Sequence, residues 1–302
     1  MYDLFCIAGA SLDLILKLPR LPEPDEKLLV QYAGRAAGGL VANAACAAAR
    51  LGLRTGWGGL VGDDEGGRLV LQEFAKFGVD AGRAQVLPGG MGDFCIILLD
   101  ESGERTILVA NPLPEPPPLD EATLQALRSS RVGYALARPP EWFERFAGAV
   151  HAGGGLVAVD LESTSPAQGE DLNGTLRRTD ILFTNRGGLG LLAPDLPLEE
   201  AARFALGLGV QEVVVTRGAA GSALYTPQGV LEAAGFRVPV ADTTGSGDCF
   251  HAAYLAARYA GLEGAARLRF ANAAAALKVQ KLGPRAGLPT FAEVESFLAR
   301  HG

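Results

Sequence analysis

Short apolar runs alternate along the chain with longer stretches whose apolar residues recur at helical spacing. The short runs are unbroken by charge, which is typical of strands buried on both faces of a parallel sheet. They cover 4–9, 155–160, 180–184 and 212–216. Helices that each end on glycine are predicted at 40–52, 67–78 and 198–209. This alternation predicts one α/β domain over 1–302, with a doubly wound, mostly parallel sheet and helices on both faces.

Two segments interrupt this alternation. Residues 12–33 predict two short strands around a proline-rich turn, and residues 93–109 predict a hairpin with Ser102-Gly103 at its turn. We interpret these four strands as a small separate sheet, built from insertions at about 12–36 and 91–111. Because such a sheet has an open face and open edges, we also expect a homodimer formed through it.

Composition narrows the classes of function. The chain has 302 residues, 48% of them hydrophobic, and a net charge of −7. An acidic balance gives no reason to expect nucleic-acid binding, and the sequence contains no apolar run long enough to predict a membrane span. The four cysteines are scattered without CxxC spacing, so we expect neither a zinc site nor disulfides, but a reducing cytoplasm.

The segment VADTTGSGDCFHAAYLAARYA (240–260) passes from a glycine-containing turn into an alanine-rich helix. Gly245 and Gly247 let the backbone approach an anion, and the helix start adds N–H groups and a positive dipole end. Such a turn suits a phosphoryl group in transit. Asp248 would repel bound phosphate, so we expect it to remove a proton from an attacking hydroxyl, kept ionised by the helix dipole. The alternative is that Ser246 and Asp248 only cap the helix.

Several motifs in order along the chain resemble those of the ribokinase-like (PfkB) carbohydrate kinases. DTTGSGDCF (242–250) resembles the C-terminal signature of that family, and GGLVAN (38–43) resembles the start of its N-terminal signature. GLVGDDEGG (59–67) and TRGAAG (216–221) are similar to two further segments. The resemblance implies a ribokinase fold with a small β-sheet lid. It also implies transfer of the γ-phosphoryl group of ATP, with Mg²⁺, to a hydroxymethyl group of a small sugar or sugar derivative.

The resemblance also implies roles for individual residues. Asp248 is the implied catalytic base, and the 245–248 turn, with Gly245, Ser246 and Gly247, is the implied anion hole. The implied sugar-binding positions are Asp13, Gly38, Gly39 and Asn43, with Arg105 and Arg138 as further candidates. The implied ATP-binding positions are Asn185, Thr216, Gly218, Gly221 and Asn272. Some family members also hold a monovalent cation such as K⁺, for which the matching positions are Asp242, Thr244, Gly283 and Gly287.

Three of these residues have a plainer interpretation. Asn43 could cap the start of a helix, Asn272 could lie on an amphipathic helix face, and Arg105 could be a solvated charge on the lid. The chain also departs from the family at Gly188, where a Glu of the Mg²⁺ network is usual, and Asp160 is the candidate to compensate.

Other functions stay open at this point. A nucleoside kinase or a sugar-phosphate kinase would use the same motifs, and loss of the acid at Gly188 would suit a sugar-binding regulator without turnover. A dinucleotide-dependent dehydrogenase is disfavoured, because no G-x-G-x-x-G follows the first strand. The chain contains no Gly-Lys pair and hence no Walker A motif, so phosphate binding falls to the Gly-Ser-Gly turn.

Overall fold

The computed structural model describes residues 1–100, 105–162 and 172–301, with the side chain of Arg105 outside the description. The strands are β1 (Leu4–Ile7), β2 (Ser11–Lys17), β3 (Gln31–Gly38), β4 (Thr55–Gly58), β5 (Leu60–Gly62), β6 (Gln85–Leu87), β7 (Asp93–Leu99), β8 (Arg105–Ala110), β9 (Val132–Leu136), β10 (Leu156–Leu161), β11 (Ile181–Asn185), β12 (Glu212–Thr216), β13 (Ser222–Thr226) and β14 (Gly229–Ala233). The helices are α1 (Leu40–Arg50), α2 (Glu65–Phe77), α3 (Glu121–Arg128), α4 (Pro140–Ala152), α5 (Asn173–Leu176), α6 (Arg186–Leu192), α7 (Leu198–Gly207), α8 (Ser246–Tyr259), α9 (Gly264–Lys278) and α10 (Phe291–Arg300).

The central sheet has eight strands in the order β14-β13-β12-β11-β10-β9-β1-β4. All neighbours from β4 to β12 are parallel, and β13 and β14 extend the sheet in antiparallel fashion. The four apolar runs of the sequence form β1, β10, β11 and β12, so the mostly parallel sheet is confirmed.

Helices cover both faces of this sheet. Leu4 and Cys6 of β1 belong to one buried apolar cluster, whereas Phe5 and Ile7 belong to another. This division follows from the strand period, because successive side chains point to opposite faces. Residues of α1, α2, α8, α9 and α10 complete the first cluster, and residues of α3 to α7 complete the second. The doubly wound arrangement is therefore confirmed.

A separate four-stranded sheet, which we call the lid, has the order β3-β2-β7-β8. Its strands come from the two predicted insertions, and β2 pairs in parallel with β7 while the outer pairs are antiparallel. The predicted Ser102-Gly103 turn lies outside the described residues. A short parallel pair, β5 with β6, was not predicted. Within the described ranges, no helix is long and apolar enough to cross a membrane.

Candidate active site

Helix α8 begins at a turn that only glycine can form. Gly245 precedes the helix with φ of +74°, and a Cβ there would lie 2.7 Å from the carbonyl oxygen of Pro284. The N-cap of this helix is Gly245, which has no side chain, so neither Ser246 nor Asp248 is its N-cap. The Ser246 N–H donates to the carbonyl oxygen of Thr243 at 3.1 Å. An anion would therefore meet the other N–H groups of the first turn, which have no intrahelical acceptor.

The side chain of Asp248 is held from another part of the chain. Asn43 Nδ2 donates to Asp248 Oδ2 at 2.9 Å, and Arg285 Nε donates to Asn43 Oδ1 at 2.9 Å. Because arginine only donates, the oxygen of the Asn43 amide must face Arg285 and its nitrogen must face Asp248. Asn43 does not cap α1, whose N-cap is Gly39. Its side chain reaches the candidate base instead.

Burial governs the charge of Asp248, which is 3% exposed. Burial raises the pKa of Asp248 to about 8; the hydrogen bond from Asn43 and the charges of Arg285 and Lys278 oppose that rise, and the charge of Glu162 adds to it. Desolvation is therefore the largest influence on the pKa of this carboxyl group, and it acts against the ionised form that the helix dipole was expected to favour.

Asp13 lies on the lid strand β2 and packs against the backbone that follows β3. A Cβ on Gly38 would lie 2.3 Å from Asp13 Oδ2, so only glycine leaves room for this carboxyl group. Ser11 Oγ donates to Asp13 Oδ1 at 2.9 Å. Burial raises the pKa of Asp13, and the hydrogen bond from Ser11 and the charge of Arg285 oppose that rise. Gly38, Asn43 and Asp13 thus meet around the guanidinium group of Arg285, which also donates to the Gly38 carbonyl oxygen at 3.1 Å.

A second charged group surrounds Arg138, just beyond β9. Arg138 is buried and forms an ion pair with Glu115 at 2.7 Å. A Cβ on Gly9 would lie 2.9 Å from Asp93 Oδ2 and 3.0 Å from Glu115 Oε1, so both carboxyl groups flank the end of β1. Arg138 is thus already paired within the protein. Arg105 lies on β8, where its backbone pairs with Leu99.

The predicted ATP-binding positions lie at the carboxyl ends of β11 and β12. Asn185 and Thr216 are direct neighbours across these strands. Asn185 Oδ1 caps α6 by accepting from the Gly188 N–H at 3.0 Å. Gly218 and Gly221 both have positive φ, and a Cβ on Gly221 would lie 2.1 Å from the Ala233 carbonyl oxygen. These residues form a compact turn above the sheet edge.

Asn272 has a structural task in the same region. Its Nδ2 donates to the carbonyl oxygens of Ala233 and Ala234, at 3.0 and 3.2 Å, and its side chain is buried. It therefore ties α9 to the end of β14. This contact gives Asn272 a role that neither the adenine interpretation nor the helix-face interpretation predicted.

Three of the four positions matched to a monovalent cation, Asp242, Thr244 and Gly283, are joined by hydrogen bonds, and the fourth, Gly287, lies against the backbone of Lys278. Asp242 Oδ1 accepts from the Thr244 N–H at 2.9 Å and from its hydroxyl at 2.7 Å, and Oδ2 accepts from the Gly283 N–H at 2.8 Å. A Cβ on Gly287 would lie 2.5 Å from the carbonyl oxygen of Lys278. Lys278 Nζ itself donates to the Asp242 carbonyl oxygen at 3.1 Å.

Gly188 is enclosed by backbone. A Cβ there would lie 1.9 Å from the Leu161 carbonyl oxygen and 2.4 Å from Thr184 Oγ1, so no larger residue fits. The carboxyl group of Glu162 lies beside the proposed anion hole. A Cβ on Gly247 would meet Glu162 Oε1 at 3.8 Å, the only contact it would make within 4 Å among the described residues.

Asp160 lies deeper than Glu162. Its Oδ2 is 3.4 Å from the Tyr134 hydroxyl and 3.6 Å from His251 Nδ1, and the side chain is fully buried. Burial raises the pKa of Asp160, and the charges of Glu162 and Asp248 raise it further. Burial also lowers the pKa of His251 to about 3, so this imidazole is neutral.

Sequence reasoning missed several residues of this site: Asp93, Glu115, Glu162, Lys278 and Arg285. Lys278 carried a signal, because it is a single lysine in the alanine-rich helix α9. Arg285 lies between two glycines that were singled out for the cation site. Glu162 follows Asp160 by two residues, at the same strand end.

Comparison with known proteins agrees with this geometry. Residues 1–291 match the model of the pfkB family of carbohydrate kinases. The chain is 29% identical over 301 residues to the ribokinase of Bacillus subtilis, covering 99% of this chain and 100% of that one. It is 28% identical over 287 residues to the ATP-dependent ribose-1-phosphate kinase of Halopiger xanaduensis, covering 95% of each. The structure of Arabidopsis thaliana ribokinase complexed with ribose and ATP superposes with a TM-score of 0.86 at 26% identity, covering 98% of each chain. The chain belongs to the pfkB family of carbohydrate kinases.

Proposed function

We propose that this protein transfers the γ-phosphoryl group of ATP to a hydroxymethyl group of a small sugar, with Asp248 as general base. The observation that carries this proposal is the position of Asp248, in the first turn of α8, with Oδ2 held by Asn43. One carboxylate oxygen is thereby fixed, and Oδ1 is left to take a proton. The family membership and the likeness to ribokinases support the same reaction.

The sugar lies against Asp13 and Asn43, whose carboxylate and amide groups pair with its hydroxyls. Its hydroxymethyl oxygen attacks the γ-phosphorus of ATP while Asp248 Oδ1 accepts the hydroxyl proton. The bond from the γ-phosphorus to the bridging oxygen breaks, and ADP leaves. N–H groups of the turn at Gly245 and Gly247 stabilise the charge on the transferred group. A pKa near 8 suits a general base, which works best near the operating pH.

Mg²⁺ supplies charge neutralisation on the β- and γ-phosphate oxygens in this class of reaction. The residues fit such an ion, because Mg²⁺ prefers oxygen ligands and keeps several waters. Among the described residues, Asp160 Oδ1 is buried without a hydrogen-bond partner, and Glu162 lies beside Gly247. We propose that Glu162, backed by Asp160, holds the Mg²⁺ water shell and replaces the acid missing at Gly188. This assignment removes the one argument for a regulator without turnover.

The charges around the sugar site favour an uncharged acceptor. Asp13, Asp93 and Glu115 supply three carboxyl groups, whereas Arg138 is paired with Glu115 and Arg285 is bound to Asn43 and Gly38. Carboxyl groups accept hydrogen bonds from sugar hydroxyls, and in their ionised form they repel a phosphate group. We therefore favour a neutral sugar over a sugar phosphate.

ADP release with a panel of acceptors tests the proposal. The panel contains D-ribose, D-fructose, adenosine and ribose 1-phosphate, each with MgATP. We expect turnover with a neutral sugar and, in ³¹P NMR of the product, a phosphate ester on a CH₂ group. Two results would contradict the proposal: turnover with ribose 1-phosphate alone, or no turnover with any acceptor of a broad panel.

We also propose that the lid forms a homodimer. Ile97, Ile107 and Val109 share the lid face that carries Asp13, and Ile107 and Val109 are 43% and 65% exposed. The lid of a second copy would cover this apolar surface. Light scattering should give the mass of a dimer for the native chain and of a monomer for Ile107→Lys; a native monomer would refute the assignment.

A further inference from the structure

Lys278 is a fully buried lysine at the C-terminal end of α9. A charged group in a protein interior is costly unless oppositely charged or polar groups surround it. Its Nζ donates to the carbonyl oxygen of Asp242 at 3.1 Å. The amino group therefore lies at the loop that leads into the anion hole, and not at the protein surface as lysines usually do.

Lys278 contacts Asp242, one of the four positions that the family resemblance matched to a monovalent cation. Asp242 supplies the carbonyl oxygen, and its carboxylate is pinned by Thr244 and Gly283. Burial raises the pKa of Asp242, but hydrogen bonds from Thr244 and Gly283 and the charge of Lys278 bring it below its usual value. The ammonium group of Lys278 thus lies against the carbonyl oxygen of Asp242, and its charge acts on the carboxylate of the same residue.

The residues present do not fit an additional K⁺ ion. K⁺ binds through oxygen atoms, and the ammonium group already lies against the carbonyl oxygen of Asp242. A K⁺ ion bound to the same carbonyl oxygen would be repelled by the positive charge of the ammonium group. The chain therefore differs from the family members that hold K⁺, because the ammonium group of Lys278 supplies the positive charge that K⁺ would supply.

We propose that Lys278 is a tethered replacement for the monovalent cation, so that this protein needs no K⁺ to order its anion hole. Lys278 is a positioning residue: it holds the backbone at Asp242, three residues before Gly245, and its charge favours an anion at the turn. The inference rests on the proposed function for its effect on catalysis, but the occupancy of the cation site can be tested without catalysis.

The first test compares the native protein in KCl and in tetramethylammonium chloride at equal ionic strength. We expect the same Tm, and the same kcat on the acceptor found by the ADP-release panel, in both salts. A saturable rise of Tm or a several-fold activation by K⁺ would overturn the proposal. The Tm comparison needs no acceptor, so it gives an answer even if no sugar is phosphorylated and the proposed function fails.

Two variants then locate the effect at Lys278. Lys278→Ala removes the ammonium group and leaves a polar cavity; we expect kcat to fall about 10-fold or more and both kcat and Tm to recover partly with K⁺. Lys278→Met fills the same space without charge, and we expect a similar loss that K⁺ does not restore. Lys281→Ala changes an exposed lysine of the adjoining loop and serves as the matched control, with no response to K⁺.

The variants also provide a contrary outcome. A folded Lys278→Ala protein, shown by a native circular dichroism spectrum, whose Tm is independent of K⁺ would overturn the proposal. Should that variant not fold, the salt comparison on the native protein decides alone.

Discussion

Asn43 Nδ2 lies 2.9 Å from Asp248 Oδ2, although 205 residues separate the two in the chain. Each of the two side chains is almost completely buried, one in the first turn of α1 and the other in the first turn of α8. This contact joins the proposed sugar-binding and phosphate-binding halves of the site. In the proposed mechanism it also determines that Oδ1 of Asp248 faces the acceptor hydroxyl.

The two glycines of the turn should respond differently to alanine. A methyl group at Gly247 meets only Glu162 at 3.8 Å among the described residues, so Gly247→Ala should fold with Tm unchanged or higher. The methyl group would take up part of the space proposed for the transferred phosphoryl group, so kcat should fall by up to about 10²-fold. Gly245→Ala should instead lower Tm, because φ at this position is +74° and the new Cβ would lie 2.7 Å from the carbonyl oxygen of Pro284. Equal loss of Tm in both variants would refute this distinction.

Asp248 should make the unliganded protein less stable as pH rises. Burial raises the pKa of Asp248 to about 8, whereas the unfolded chain has the ordinary value of 3.8. The folded state therefore binds the proton more tightly, and the stabilisation present below pH 3.8 is lost as pH rises toward 8. Asp248→Asn lacks this loss, so its free energy of unfolding relative to that of the native protein should increase from pH 5 to pH 8, by about 1.4 kcal/mol per pH unit, and its Tm should rise relative to the native Tm in the same direction. A constant Tm difference would contradict the burial argument.

Arg285 should tune the pH dependence of catalysis through Asn43. It fixes the Asn43 amide, and its charge lowers the pKa of Asp248. Arg285→Met should therefore move the rising limb of the kcat/KM profile to higher pH, by about half a unit or more, with little change of KM for ATP. Arg267→Met is the matched control, since Arg267 is equally buried but pairs with Glu212. Arg267→Met should lower Tm without shifting the rising limb of the kcat/KM profile. An equal shift of that limb in both variants would contradict the role of Arg285.

Glu162 should set the requirement for Mg²⁺. Glu162→Gln removes the charge at nearly constant shape, and we expect the Mg²⁺ concentration for half-maximal rate to rise about 10–100-fold. Binding of Mn²⁺ in the presence of ADP, followed by electron paramagnetic resonance, should weaken in parallel. Gly188→Glu should not restore the metal site but unfold the region, because its Cβ would lie 1.9 Å from the Leu161 carbonyl oxygen. Unchanged Mn²⁺ affinity in Glu162→Gln would contradict the assignment.

Sequence alone predicted the sheet and the lid because both depend on local pattern. Strands buried on both faces appear as short apolar runs, as in β1, β10, β11 and β12. Because these runs alternate with longer helices that end on glycine, they indicate strands of a parallel sheet. The turn before α8 was also evident from its glycines, and Gly245 at the N-cap has the positive φ that favours glycine.

The missed features depend on contacts between distant segments. Arg285 reaches Asn43 across 242 residues, and no local pattern indicates that pairing. In the sequence, Gly188 was interpreted as the loss of an acidic residue. In the structure, the backbone of Leu161 packs so closely against this position that only glycine fits. The raised pKa of Asp248 was missed for a similar reason: it comes mainly from burial, which is a property of the folded molecule and not of the local sequence.

Asp248→Asn provides the most direct test of the central claim that this carboxyl group is the general base. The substitution keeps the size of the side chain and removes its ability to accept the proton. With the best acceptor of the panel, we predict that kcat falls by about 10²–10⁴-fold. KM for ATP should change little, and the circular dichroism spectrum should remain native. A variant that retains near-native kcat would contradict the account.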